Sequence, residues 1–418
     1  MVRTSALVLF LTVWAFAILS AHLAEVLGLS QLRIVVFSAV VAALGLLGLI
    51  AHPRLGARGR GLALVLLALH WLQTVVHPLA PFDPLGHKVL LVLLVLLLAP
   101  NVAAALGEVD VARVLAGFLA VYVLAAGGLA LWGDPELRGY GAVARLDVSG
   151  SIVSQGSLCA LAALVAAERA VRAPRLRLLW LPLLAAALVM VFVTATRTAV
   201  LAVLLFALYD TLAGPARVRL RLHLLAAVPA VLVFALFTLT VNDVLWRRIT
   251  GEGVSDWSSG RAHSLRYWIS LAADHPLGLG IGTLRRMFAD GRPVIDGGLH
   301  LEWPHDEFVR MWVEGGLPGL VFALLLVAGV VVRAVGAARA TDDPLRRVAL
   351  LALAADLTAQ SLLQNYFHSV YLATATVLTL AVLAVQVRKE AEEGPRRAAA
   401  EPSPAPHIPG GSFAGNAA

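Results

Sequence analysis

His305, Arg197, Arg261 and Arg266 are the residues best suited to chemistry in this chain. Three of them lie in one polar stretch, Asp243–Gly316, set between apolar runs that fill most of the sequence. Apolar helices can build a membrane protein, but they perform no reaction alone. Histidine changes charge near neutral pH, so His305 can serve as a general base. The plainer reading is a helix-start histidine bonded to a carboxylate. Asp306 or Glu307 could orient that imidazole or be the base instead. Guanidinium is always charged and binds oxyanions in bidentate fashion. Arg197 stands in an apolar context, where an arginine at a span end is costly unless paired or functional. Its plainer reading is snorkelling to headgroups. For Arg261 and Arg266 it is a solvated face or an ion pair to Asp256 or Asp274. A zinc site from His300, His305 and a carboxylate is disfavoured, because the spacing fits no helical two-histidine ligand pattern. There is no P-loop, serine-nucleophile elbow or cofactor fingerprint, so neither cofactor nor metal is expected.

The elements that must position these residues are membrane helices. Mean hydropathy is +0.84, and 60% of residues are hydrophobic against 14% charged. Soluble domains run nearer a quarter charged. Apolar residues come in repeated runs of about 18–22, the length that crosses roughly 30 Å of hydrocarbon. The runs do not alternate at period two, which excludes a barrel. The expected fold is all-α: a polytopic helical membrane protein with about twelve transmembrane helices. They centre near Val13, Val41, Leu69, Val95, Ala120, Leu161, Ala185, Leu204, Leu232, Leu326, Ala354 and Val377. The first run follows Arg3 and reads as a retained signal anchor. Net charge is +7, but most arginines sit in short loops between spans, so the charge reports topology and not nucleic-acid binding. With an inside N-terminus, the clusters at Arg54–Arg60, Arg169–Arg177, Arg217–Arg221, Arg339–Arg347 and Arg388/Lys389 all fall on the cytoplasmic side. The long loop 243–316 and the turn Thr194–Thr198 then face outward. Residues 1–387 read as the membrane domain. Residues 388–418, rich in Ala, Pro, Glu and Gly, read as a disordered cytoplasmic tail. Cys159 is the only cysteine, so no intramolecular disulfide is possible.

The outer loop carries eight arginines against ten carboxylates, dense and nearly balanced charge that suits a folded polar subdomain. Within it, Leu265, Trp268, Ile269 and Ala272 recur at helical spacing, predicting an interfacial helix over Arg261–Asp274 with Trp268 at headgroup depth. His275-Pro276 stops that helix. Gly278, Gly280 and Gly282 then permit a tight backbone path. A second helix is expected from near Pro304 to Gly315-Gly316, presenting His305, Val309 and Trp312 on one face.

Three motifs carry a family resemblance. Pro304-His305-Asp306-Glu307-Phe308 through Glu314-Gly315-Gly316-Leu317-Pro318-Gly319 resembles the histidine-containing motif, ended by Glu-x-Gly-x-x-Gly, of the O-antigen ligase/polymerase superfamily. Ser259-Gly260-Arg261, Arg266-Tyr267-Trp268 and Asp274–Gly280 resemble its Arg…Trp…His-Pro-x-x-Gly-x-Gly segment. Thr194-Ala195-Thr196-Arg197-Thr198 resembles its Ser/Thr-Arg-Ser/Thr motif at the outer end of a span. Motif order and the twelve-span layout also match, over roughly residues 5–387. The spacing from the arginines to Trp268 is unusual, so Arg261 or Arg266 fills the family's position. His305 is followed by Asp where the family often has Asn.

The resemblance implies an inner-membrane transferase of lipopolysaccharide biosynthesis. It would move glycan from undecaprenyl diphosphate to a lipid A–core sugar hydroxyl, inverting the anomer without metal. Arg197, Arg261 and Arg266 would bind the diphosphate and His305 would take the acceptor's proton, with Asp306 and Glu307 in support. An O-antigen polymerase or a protein O-oligosaccharyltransferase of the same fold differs only in acceptor. A transporter would need ionisable or helix-breaking residues in mid-span. Few occur, Asp356 and Gln360 being the main ones.

Overall fold

The computed structural model describes residues 2–27, 32–53, 60–76, 86–132, 136–140, 143–147, 152–194, 196–214, 261–289, 295–296, 299–301, 303–364 and 370–400. Helices dominate. In chain order they are α1 Val2–Leu27, α2 Leu32–Ala51, α3 Gly61–Val76, α4 Val89–Leu106, α5 Val111–Trp132, α6 Ile152–Arg172, α7 Arg177–Thr194 and α8 Arg197–Ala213. Then come α9 Arg261–Asp274, α10 Thr283–Ala289, α11 Glu307–Ala340, α12 Pro344–Leu363 and α13 Val370–Ala400. Two small antiparallel pairs accompany them: β1 Glu136–Tyr140 with β2 Val143–Asp147, and β3 Ile295–Asp296 with β4 Leu299–His300.

The chain is an all-α, multi-pass membrane protein. Among the described residues, six helices are long and apolar enough to cross a bilayer: Ile34–Ala51, Val89–Leu106, Val111–Leu131, Pro174–Val191, Glu307–Ala340 and Val370–Glu393. Three shorter apolar helices join them, Val2–Ile18, Gly61–Val75 and Thr198–Ala213. The described residues alone do not account for the expected count of twelve. Buried polar residues interrupt two of the expected spans, Gln155 and Ser157 in α6 and Asp356 and Gln360 in α12. The expected span around Leu232 lies outside the described residues. Large apolar side chains on the outer faces, such as Leu178 at 89% and Leu131 at 75% exposure, are what a lipid-facing surface carries.

The core is built by close approach of helices. Trp14 is buried against Phe118, and its indole N–H donates to Thr379 Oγ1 at 3.0 Å, tying α1 to α13. Phe37 meets Tyr371 edge-on at 4.8 Å. Gly48 lets α2 reach the backbone of α4, for a Cβ there would stand 2.8 Å from the Asn101 carbonyl carbon.

One end of the bundle is stitched by arginines. Arg347 Nε donates to Asp210 Oδ1 at 2.9 Å and its Nη1 to the Ala338 carbonyl at 3.2 Å. Arg339 Nη2 donates to the Leu212 carbonyl at 2.7 Å. Arg346 pairs with Glu390 and lies 3.7 Å from Asp110. These contacts join α8, α11, α12, α13 and the residue before α5. Helix α13 continues past Arg388 to Ala400, so the expected tail boundary at 388 is not an element end. Ala, Glu, Lys and Arg are strong helix formers, and Lys389 pairs with Glu393 one turn on. Residues 401–418 lie outside the described part.

Candidate active site

Helix direction decides which groups can meet. The Arg339–Leu212 contact puts the C-terminal ends of α8 and α11 side by side. At 1.5 Å per residue, Arg197 then lies about 22 Å above that level and Leu317 about 33 Å, so both helices begin at the opposite end of the bundle. The start of α8 and the start of α11 therefore share one end.

At that end α8 opens on Thr196, which is extended at φ −93° and ψ 119°. Arg197 is its first residue; its side chain lies outside the described part, as do those of Arg261 and His300. The threonines around it, Thr194, Thr196 and Thr198, are buried. Gly156 of α6 packs on them so closely that a Cβ would sit 2.0 Å from Thr196 Oγ1. One residue further along α6, Ser157 Oγ accepts from Gln360 Nε2 at 2.7 Å, and buried Asp356 bonds to the same two side chains. The Thr-Arg-Thr motif thus stands beside the polar groups of α6 and α12.

The loop has its own apolar core, made by buried Trp268, Ala272, Leu284, Leu301, Val309 and Val313. Trp268 is fully buried there, against Tyr267 and Phe288, so it anchors the loop's own core. The amphipathic pattern was real, but its apolar face met α10 and α11. Ile269 is 39% exposed, and Arg266 is exposed on that same outer side of α9.

Helix α11 begins later than expected. Asp306 is its N-cap, extended at φ −150° and ψ 120°, and its carboxylate accepts from the Val309 N–H at 2.9 Å. An aspartate cap satisfies a donor that the first turn leaves orphaned, which ends the helix there. His305 consequently precedes the helix, half-buried beside the cap, and does not share a helical face with Val309 and Trp312. Burial raises the Asp306 carboxyl above its usual range, partly offset by backbone N–H groups of Val309 and Phe308. Glu307 is fully buried and accepts from Arg310 Nε at 2.9 Å.

The two glycine motifs form one interlock. Leu279 N–H donates to the Val313 carbonyl and Gly280 N–H to the Glu314 carbonyl, both at 2.9 Å, and Leu317 N–H donates to the Pro276 carbonyl at 2.8 Å. Gly316 kinks α11 with φ 63° and ψ −157°. A Cβ at Gly316 would stand 2.3 Å from the Pro276 oxygen, and one at Gly278 (φ 82°) 2.4 Å from the Gly316 nitrogen. Each backbone occupies the space a side chain on the other would need. Below the kink, a Cβ at Gly315 would meet Gln73 Oε1 of α3 at 2.4 Å.

Residues 182–324, about a third of the chain, match the family model described as O-antigen ligase, which supports the resemblance to that superfamily. The matched region runs from α7 through the Thr-Arg-Thr motif and the loop to the kinked helix. No curated protein matches the chain. The sequence reading assigned no individual role to Arg310, to Glu314 within its motif, or to Gln73, all of which pack this end of the bundle. The acid–arginine–acid spacing at 307, 310 and 314 was the available signal for the first two.

Proposed function

We propose that this protein is an O-antigen ligase of the bacterial inner membrane, with its loop facing the periplasm and both termini in the cytoplasm. It transfers glycan from undecaprenyl diphosphate to a sugar hydroxyl of lipid A–core. The acceptor oxygen attacks the anomeric carbon, the bond from that carbon to the phosphate oxygen breaks, and lipid diphosphate leaves with its electrons. His305 takes the acceptor's proton as the general base. Attack opposite the leaving group inverts the anomer, and no metal takes part. Arg197, with Arg261 or Arg266, balances charge on the departing diphosphate. Asp306 stands beside the base and caps its helix. Glu307 is a weaker choice for base or orienter because it accepts from Arg310.

One observation carries this reading: the family segment spans two helices whose starting ends, bearing Arg197 and following His305, lie at the same end of the bundle. The arginine-rich loops gather at the other end, which by the positive-inside rule supports this end facing outward. Expression in a ligase-deficient host tests it. Wild-type protein should restore capped lipopolysaccharide, while His305→Ala and Arg197→Ala should each remove it. Full capping by both variants would defeat the assignment.

A further inference from the structure

We propose that Arg310 is a positioning residue for His305: through Glu307 and Glu314 it fixes the first turns of α11 to the glycine loop. This rests on the ligase reading and deepens it. Arg310 lies on the first turn of α11 and is 7% exposed. Its guanidinium bridges both neighbouring turns. Nε donates to Glu307 at 2.9 Å, with Nη2 bonded to the same carboxylate, and Nη1 donates to Glu314 Oε2 at 2.7 Å. The other Glu314 oxygen, Oε1, accepts from the Leu284 N–H at 3.2 Å, at the start of α10. The Glu314 carbonyl accepts from Gly280. One glutamate therefore joins α10, the glycine loop and α11, and Arg310 orients it.

The chain of contacts reaches the base in few steps. Arg310 holds Glu307, the first residue of α11, and Glu307 follows the Asp306 cap, which follows His305. None of the bonds given above for Arg310 goes to His305, and its own carboxylate partners fill both edges of its fork. Its contribution is geometric. A lysine at this position keeps the charge but cannot serve both carboxylates in the same fixed fork. Displacement of a reacting group by about 1 Å can lower turnover about 10²-fold.

The test uses full-length protein in detergent with lipid-linked glycan and lipid A–core acceptor. Wild type, Arg310→Lys, Arg310→Met and His305→Ala are compared. Turnover is read per folded molecule, and backbone hydrogen exchange is read at Leu279, Gly280 and Leu284. In Arg310→Lys, kcat should fall about 10²-fold with KM little changed, and protection at those three amides should drop. Arg310→Met should lose at least as much where it folds; if it does not fold, the lysine variant decides. A purely structural arginine would reduce the yield of folded protein and leave kcat per folded molecule unchanged. Wild-type kcat or unaltered protection in Arg310→Lys overturns the proposal. If His305→Ala keeps wild-type transfer, the ligase site reading fails first and the proposal falls with it. If His305→Ala is inactive while both arginine variants turn over normally, the proposal fails alone.

Discussion

Two buried arginines, Arg347 and Arg310, hold opposite ends of α11, and they do so differently. Arg347 pairs with Asp210, a residue 137 positions away, so its bond joins separate helices. Arg310 pairs with Glu307 and Glu314 of its own helix, and the tertiary connection is made by Glu314 and by backbone. Near Arg347 the scaffold is a set of side-chain pairs between straight helices. Near Arg310 it is an interlock of two glycine-bearing backbones that leaves no room for a Cβ. The first arrangement sets stability and tolerates adjustment. The second sets the position of a loop and does not.

The largest effect should follow from filling that interlock. Gly316→Ala adds a Cβ 2.3 Å from the Pro276 oxygen at a φ that side chains rarely adopt. It should abolish glycan transfer and expose the Leu279 and Gly280 amides to exchange while the helical bundle persists. Transfer by Gly316→Ala at the wild-type rate would show that the kink is dispensable. Next comes the arginine end. Arg347→Ala leaves Asp210 buried without its guanidinium, a loss of about 3–5 kcal/mol. Thermal unfolding in detergent should register it, with turnover per folded molecule unchanged. Lost turnover at full stability would erase the contrast between the ends.

Trp268→Ala empties the small loop core and should cost up to about 3–5 kcal/mol, felt by the loop and not by the bundle. Exchange confined to residues 261–289 distinguishes this from global loosening. The smallest effect belongs to Asp306. Burial raises its carboxyl in the folded state, so its contribution is present below the unfolded value of about 3.9 and is lost as pH rises through the folded value. Asp306→Asn keeps the capping acceptor without the charge. Relative to wild type it should gain stability with rising pH across that window, while Asp306→Ala should lose about 1 kcal/mol of cap. A pH-independent difference for the asparagine variant would contradict this.

How much was legible follows the range of the interactions. Helix α9 was readable to its ends, because local periodicity and His275-Pro276 determine them. The break at Gly316 was readable from the paired glycines. The freedom of Gly278, Gly280 and Gly282 was expected, and all three have positive φ. What they accommodate was not legible, since the Gly316 backbone approaches from more than thirty residues away. The start of α11 was misjudged by three residues, since proline can open a helix but the Asp306 cap closed it off first. Trp268 shows the same limit: an apolar stripe says that something covers it, not whether lipid or protein does. Of the expected spans, those in α6 and α12 carry buried polar residues, and the one near Leu232 lies outside the described residues.

The most direct test supplies purified protein with undecaprenyl-diphosphate-linked glycan and lipid A–core, and follows the linkage formed. Wild type should join glycan to core with inversion at the anomeric carbon, and His305→Ala should form no product while remaining folded. Transfer by the alanine variant at the wild-type rate, or retention of the anomeric configuration, would contradict the account.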